Sequence, residues 1–269
     1  MESAWDALGL LTPAPLSPYF LPGGPLVGCN EDLVWTLAFM LVLAVVDMVL
    51  VRPLLHAKAR YFALHVVANS ISCAAAFPDV LRVFTMGDPT TAFSGPSTTM
   101  VANSAVAAIH LYHCVAFPLR GEDIFHHLTF VSILCGLAIP LKHIGGVANN
   151  FGCFFLSGLP GGMTYVMLVC VAHGWMDKMT EKVWTARLNV WVRGPACSIF
   201  LFLGFLSFVH DTERAVHGVP LLAVVALHFL NGQYYAQQAV ESLATHQERA
   251  KVAKEAERAK KLRLIQALA

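Results

Sequence analysis

Histidine is the side chain best suited to moving protons near neutral pH, and this chain carries twelve of them. Five fall into three short groups. They are His110-Leu111-Tyr112-His113, then Asp123-Ile124-Phe125-His126-His127, then His173 with Asp177 and Glu181. An imidazole beside an orienting carboxylate is the usual equipment of a general base. The spacing of His173, Asp177 and Glu181 is i, i+4, i+8, which puts all three on one face of a continuous helix. Asp123 stands three residues before His126 and is the nearest carboxylate to the His126-His127 pair. A di-iron centre would need repeated HxxxH and HxxHH boxes, and only local His pairs occur. No CxxC or Cys/His finger spacing exists either, so no metal is expected.

Four further groups stand singly in apolar surroundings: Asp47, His65, Asp79 and His228. Ionisable residues inside a membrane segment are costly and are candidate functional groups by default. Asp79 follows Pro78, so it is expected to cap a broken helix. Asp47 and His228 read either as a structural pair between helices or as half of a proton relay. Asn69, Asn103 and Asn231 read as hydrogen-bonding glue between helices.

The elements that must hold these groups follow from composition. Of 269 residues, 57% are hydrophobic and 13% charged, against about 45–50% and about 25% in soluble domains. Mean hydropathy is +0.60. A disordered chain, a fibrous rod and a soluble enzyme with one packed core are thereby excluded. With a formal net charge of +1, no basic field points to nucleic acid.

The fold class expected is an all-α polytopic membrane protein. A membrane helix needs about 20 mostly apolar residues, and seven segments are candidates: 33–51, 61–84, 98–117, 127–141, 151–171, 190–209 and 219–240. The fourth is short, and the fifth is interrupted by Gly158-Leu159-Pro160-Gly161-Gly162, which reads as a broken helix. Placing the N-terminus outside puts fifteen of the eighteen Lys and Arg residues, Arg193 among them, on the cytoplasmic side. Arg82, Lys142 and Arg214 are left on the other face. The expected arrangement is N-out, C-in. It has an irregular Pro-rich lead-in over 1–32, a bundle over 33–240 and a charged helical tail over 241–269. Six of the seven cysteines fall in the segments and read as small buried hydrophobes. A retinal Schiff base is excluded, because no lysine lies between Lys182 and Lys251.

With those residues in view, the chain resembles the TLC domain proteins, named for translocating-chain-associated, longevity-assurance and neuronal-ceroid membrane proteins. The resemblance spans about residues 33–240. It rests on Arg60-Tyr61-Phe62-Ala63-Leu64-His65 with Asn69, on Pro78-Asp79, on Leu156-Ser157-Gly158-Leu159-Pro160-Gly161-Gly162, and above all on Asp123-x-x-His126-His127. It implies a role in lipid binding, sensing or membrane lipid homeostasis, and location in the endoplasmic reticulum.

The ceramide synthases of that family imply an alternative, acyl transfer from acyl-CoA to a sphingoid amine. In that case His126 or His127 would be the base, with Asp123, Asp177 and His173 in support. His110, His113, Tyr112, Glu181, Asp47 and His65 would then line the lipid cavity. The synthase Asp expected after His173 is Gly174 here, and Thr129 stands one residue closer to the His pair. A third reading is a scaffold subunit of a membrane complex or homo-oligomer. The partners expected are membrane lipids, with acyl-CoA as co-substrate if the chain is an enzyme and no resident cofactor.

Overall fold

The computed structural model describes residues 29–139, 142, 145–210 and 218–268, and among these it is all helical. Helix α1 is Cys29–Val46, prolonged by a π turn at Asp47–Val51 as far as Leu54. Helix α2 is Arg60–Thr85 and α3 is Val101–Ala116. Helix α4 starts at Gly121–His126, passes through a π turn at His127–Val131 and ends with Ser132–Ala138. Helix α5 joins Ala148–Cys153, a π turn Phe154–Gly158 and Leu159–Ala172. Helix α6 joins Lys178–Leu188, a π turn Asn189–Arg193 and Gly194–His210, and α7 is Gly218–Leu268. Residues 1–28 of the Pro-rich lead-in and Arg214 lie outside the described residues, as does the Cys29 side chain, whereas the last four residues of the expected irregular stretch, 29–32, are helical and begin α1.

Among the described residues four helical stretches are long and apolar enough to cross a membrane: Glu31–Leu54, Ala57–Thr85, Ala148–Ala172 and Lys178–His210. This supports an integral membrane protein, but by this measure the spans do not number seven. Val101–Ala116 is apolar but shorter. The segment expected at 127–141 starts earlier and stops at Ala138. In α7, His228, Asn231, Gln233 and two further glutamines dilute the apolar start, and the helix then runs unbroken through the expected boundary at 240.

Apolar side chains face outward as well as inward, as lipid solvation allows. Leu33, Leu37 and Leu41 of α1 and Phe202 and Phe205 of α6 are all more than half exposed. Inside, two packed clusters form. One joins α1, α2 and α3 through Leu43, Leu64, Ala68 and Ile109. The other joins α2, α5, α6 and α7 through Val80, Phe151, Phe200 and Val225. The glycines of the expected break do not interrupt α5. They bring α5 against α2, since a Cβ on Gly158 would meet the Cys73 sulfur at 2.9 Å and one on Gly162 the Asn69 Cβ at 3.4 Å.

Asp79 is likewise not a cap. Pro78 sits inside continuous α2, and the buried Asp79 carboxylate accepts from Asn150 Nδ2 at 2.7 Å, Thr98 Oγ1 at 3.0 Å and Arg82 Nη1 at 3.2 Å. Nor do Asp47 and His228 pair. His228 Nε2 donates to the Gly152 carbonyl at 3.0 Å, while Asp47 is held by Arg60, Arg52 and Tyr112.

Candidate functional site

A cavity of about 520 Å³ lies among the helices, within the roughly 300–1,000 Å³ of small-molecule sites. Its walls change character along its length. Arg120, Asp123 and Lys182 stand at one end, and His126, His127 and His65 come next. Farther along α4 and α6 the lining is mostly apolar, with Phe130, Leu134, Ala138 and Phe200, joined by Val224 of α7, and it also takes in Asn103, Asn149 and His228, whose ring lies 4.5 Å from that of Phe200.

The histidines meet because α2, α3 and α4 present them at one level. His110 Nδ1 lies 3.3 Å from His127 Nε2, and the ring centroids of His110 and His126 are 5.2 Å apart. His113 packs against His127 at 5.1 Å and against Tyr61 at 4.8 Å. His127 Nδ1 also meets the Cys114 sulfur at 3.0 Å. Cys114 is exposed rather than a buried hydrophobe.

His65 is the most constrained of the set. Its Nδ1 lies 2.9 Å from the Tyr61 carbonyl, and a carbonyl can only accept, so the proton is on Nδ1. The Nε2 lone pair is left without a partner in the buried wall. His126 Nδ1, Thr164 Oγ1, Arg193 Nε and Asn231 Oδ1 are also buried and unpartnered, and all four residues line the same cavity.

The expected carboxylates behave differently. Asp123 lines the cavity but is engaged by Arg120, whose backbone N–H donates at 2.9 Å and whose Nε donates at 3.0 Å. Among the described residues no carboxylate is hydrogen-bonded to an imidazole.

His173, Asp177 and Glu181 do not share one helix face, because no continuous helix joins them. Gly174 adopts φ +75°. Its N–H reaches the Val171 carbonyl at 3.1 Å, and Trp175 N–H reaches Cys170 at 2.9 Å. These are the two bonds of a Schellman helix end, where glycine avoids the Cβ penalty. The departure from Asp at this position therefore has a backbone cause.

His173 holds the chain end in place, with Nδ1 donating to the Val169 carbonyl at 2.9 Å and Nε2 accepting from the His56 N–H at 3.2 Å. Asp177 is exposed and N-caps α6 by accepting from the Thr180 N–H at 2.9 Å and from its hydroxyl. Glu181 is buried but answered by Lys178 at 2.9 Å, Lys182 at 3.7 Å and Thr185 at 3.0 Å.

Of the residues expected at the site, His65, His110, Asp123, His126 and His127 line the cavity. His113 touches the His cluster from behind. Tyr112 and Asp47 belong to a separate, filled network, in which Asp47 accepts from Arg60 Nε at 2.8 Å, Tyr112 Oη at 2.8 Å and Arg52 Nε at 3.2 Å. His173, Asp177 and Glu181 do not line the cavity.

Sequence reasoning missed Tyr61, Tyr165, Tyr235 and Arg193. Arg193, assigned to the cytoplasmic face, is instead in the cavity wall, 8% exposed, with its guanidinium 5.7 Å from the Tyr235 ring centroid. The available signal was a charge inside the apolar segment 190–209.

Among the described residues no three His, Cys, Asp or Glu side chains converge as a metal cage. Comparison with known protein families, curated proteins and solved structures finds no match to this chain.

Proposed function

We propose that this chain is a TLC-like integral membrane protein that holds one lipid molecule inside its helical bundle, as a binding, sensing or lipid-homeostasis protein. The observation that carries the reading is the cavity, with charged groups and imidazoles toward one end, mostly apolar side chains toward the other, and unpartnered polar atoms in its wall. Native interiors leave few such atoms without a partner, and a guest in the cavity would answer these. Its volume suits a single acyl chain with a compact headgroup.

The reading includes membrane embedding of α3, α4 and α7 beside the four long helices, with N-out, C-in orientation. Arg120, Lys182 and the α7 tail then face the cytoplasm. The endoplasmic reticulum is the membrane the resemblance implies.

Acyl transfer is the second reading, favoured by the free Nε2 of His65 and the unpartnered Nδ1 of His126 in the same cavity wall. Binding without transfer ranks first because Asp177 is remote and Asp123 is occupied by Arg120.

The test is mass spectrometry of lipids extracted from the purified full-length protein and from Leu134→Trp, which fills the apolar end. Wild type is expected to carry a defined acyl species that Leu134→Trp loses while melting at a similar temperature. No defined species in wild type, or equal occupancy in both, overturns the reading.

A further inference from the structure

Buried charge in this protein is almost everywhere answered by opposite charge. Asp47 meets Arg60 and Arg52, Asp79 meets Arg82, Asp32 meets Lys142, and Glu181 meets Lys178 and Lys182. Arg193 breaks the pattern. Its residue is 8% exposed, and among the described residues no carboxylate comes within ion-pair distance. One of its donors goes to the Asn189 amide oxygen one helical turn away, and its Nε has no partner. A guanidinium is always charged and is built for paired oxygens. Leaving one buried without an anion costs several kcal/mol in general.

The surroundings accommodate the guanidinium without neutralising it. Gly161 of α5 stands where a Cβ would lie 3.7 Å from Arg193 Nη2, and Gly232 of α7 where a Cβ would lie 3.9 Å from its Cγ. Arg193 also lies between the two ends of the cavity. Lys182 and Asn189 precede it along α6 on the polar side, and Phe200 comes after it on the apolar side.

We propose that Arg193 receives the anionic oxygen headgroup, carboxylate or phosphate, of a single-chain amphiphile whose tail lies toward Phe200, Val224 and Leu134. This deepens the lipid-holding reading and rests on it, adding the charge of the ligand and the residue that selects it. Asn189 is a positioning residue, since it orients the guanidinium and leaves Nε to the guest.

The test uses the full-length protein, stripped of bound lipid in a non-ionic detergent. Five probes are titrated: palmitate, 1-palmitoyl lysophosphatidate, hexadecanol, hexadecylamine and inorganic phosphate. Palmitate, lysophosphatidate or both are expected to bind at least about tenfold more tightly than hexadecanol, equivalent to about 1.4 kcal/mol. The amine should bind worst. Arg193→Gln is expected to abolish the preference, weakening the acids far more than hexadecanol, and Arg193→Lys to restore it in part.

Preference for palmitate assigns a carboxylate source, and preference for lysophosphatidate a phosphate source. Inorganic phosphate binding as tightly as the chain-bearing acids overturns the amphiphile. Equal binding of acid, alcohol and amine, or a preference that survives Arg193→Gln, overturns the role of Arg193 while leaving the cavity reading standing. No binding of any chain-bearing probe overturns both. Should Arg193→Gln not fold, the wild-type series and Arg193→Lys decide: no acid preference in wild type, or undiminished preference in Arg193→Lys, overturns the proposal.

Discussion

Two polar clusters share helix α3 and differ in one respect. Tyr112 faces the Asp47 network, where a bidentate Arg60, Arg52 and the Tyr112 hydroxyl saturate a carboxylate whose side chain has no exposure. His110, two residues earlier, faces the cavity, whose wall leaves atoms of His65, His126, Thr164, Arg193 and Asn231 unanswered. A saturated network ties α1, α2 and α3 together and has no capacity left for a ligand. An unsaturated wall around a hollow is poorly justified by stability and well justified by a guest. On the proposed reading, ionisable residues in apolar segments divide into those that hold the bundle and those that would hold its contents.

The sharpest way to break this division is Arg60→Met. It leaves Asp47 buried with its bidentate partner gone, and breaking a buried pair by removing one side costs about 3–5 kcal/mol. About 3 kcal/mol is expected here, because the Arg60 side chain is 21% exposed. Thermal unfolding in detergent should show a large loss, and lipid carried by the surviving folded fraction should be unchanged in kind. An unaltered melting temperature would show that the Asp47 network does not hold the bundle.

Glycines offer a second contrast. A Cβ on Gly204 would come within 2.8 and 2.9 Å of the two methyls of Val225, which is fully buried in the filled core. Overpacking of this kind costs about 1–3 kcal/mol, so Gly204→Ala is expected to destabilise by about 2 kcal/mol. A Cβ on Gly161 would meet the Asn69 amide nitrogen at 3.1 Å, with Arg193 Nη2 at 3.7 Å in ordinary contact. Gly161→Ala should cost less than about 1 kcal/mol, since that side chain has space to move. Equal losses in the two variants would mean that the space beside Asn69 is not free.

Hydroxyl deletions make the smaller version of the same comparison. Tyr112→Phe removes one donor from Asp47 and is expected to cost about 1 kcal/mol, between the average for hydrogen bonds joining membrane helices and the larger values for hydrogen bonds to charged groups. Thr164→Val removes a buried hydroxyl with no partner and should leave the melting temperature of the lipid-free protein level or slightly raised. A clear loss in Thr164→Val would reveal a structural partner for that hydroxyl.

The long helices were legible because apolar runs of membrane length are hard to misread, and the expected segments 33–51 and 61–84 fall within α1 and α2. The local distortions were not. Each of four helices contains a π turn, and these turns take in Asp47, His127, Ser157 and Arg193. One extra residue in a turn rotates the remainder of the helix by about 100°, so face assignments made with an undistorted period fail beyond each turn. At the site, the approach of His110 to His126-His127 was readable as adjacent helix ends. The role of Gly174 was not, because the chain alone does not distinguish a lost catalytic Asp from a helix terminator. Arg193 was misassigned because counting positive charges by loop treats every arginine as a surface marker.

The smallest effect concerns Asp177, the carboxylate most tempting as a catalytic partner by spacing and the least engaged with the cavity by position. The Thr180 hydroxyl, and then its backbone N–H, donate to the ionised side chain and hold its pKa below the ordinary 3.8. A group whose folded pKa is depressed stabilises the fold fully above its unfolded value, and that contribution disappears as pH falls through the folded value. Asp177→Ala should therefore lower the melting temperature slightly and by a constant amount from pH 7 to pH 5. The difference from wild type should begin to shrink at about pH 4 and vanish only once the pH has fallen through the depressed folded value. Lipid content and acid preference should not change, because an N-cap at the start of α6 does not touch the cavity. A pH-independent stability difference would remove the capping account, and a change in bound lipid would restore Asp177 to the site from which its position separates it.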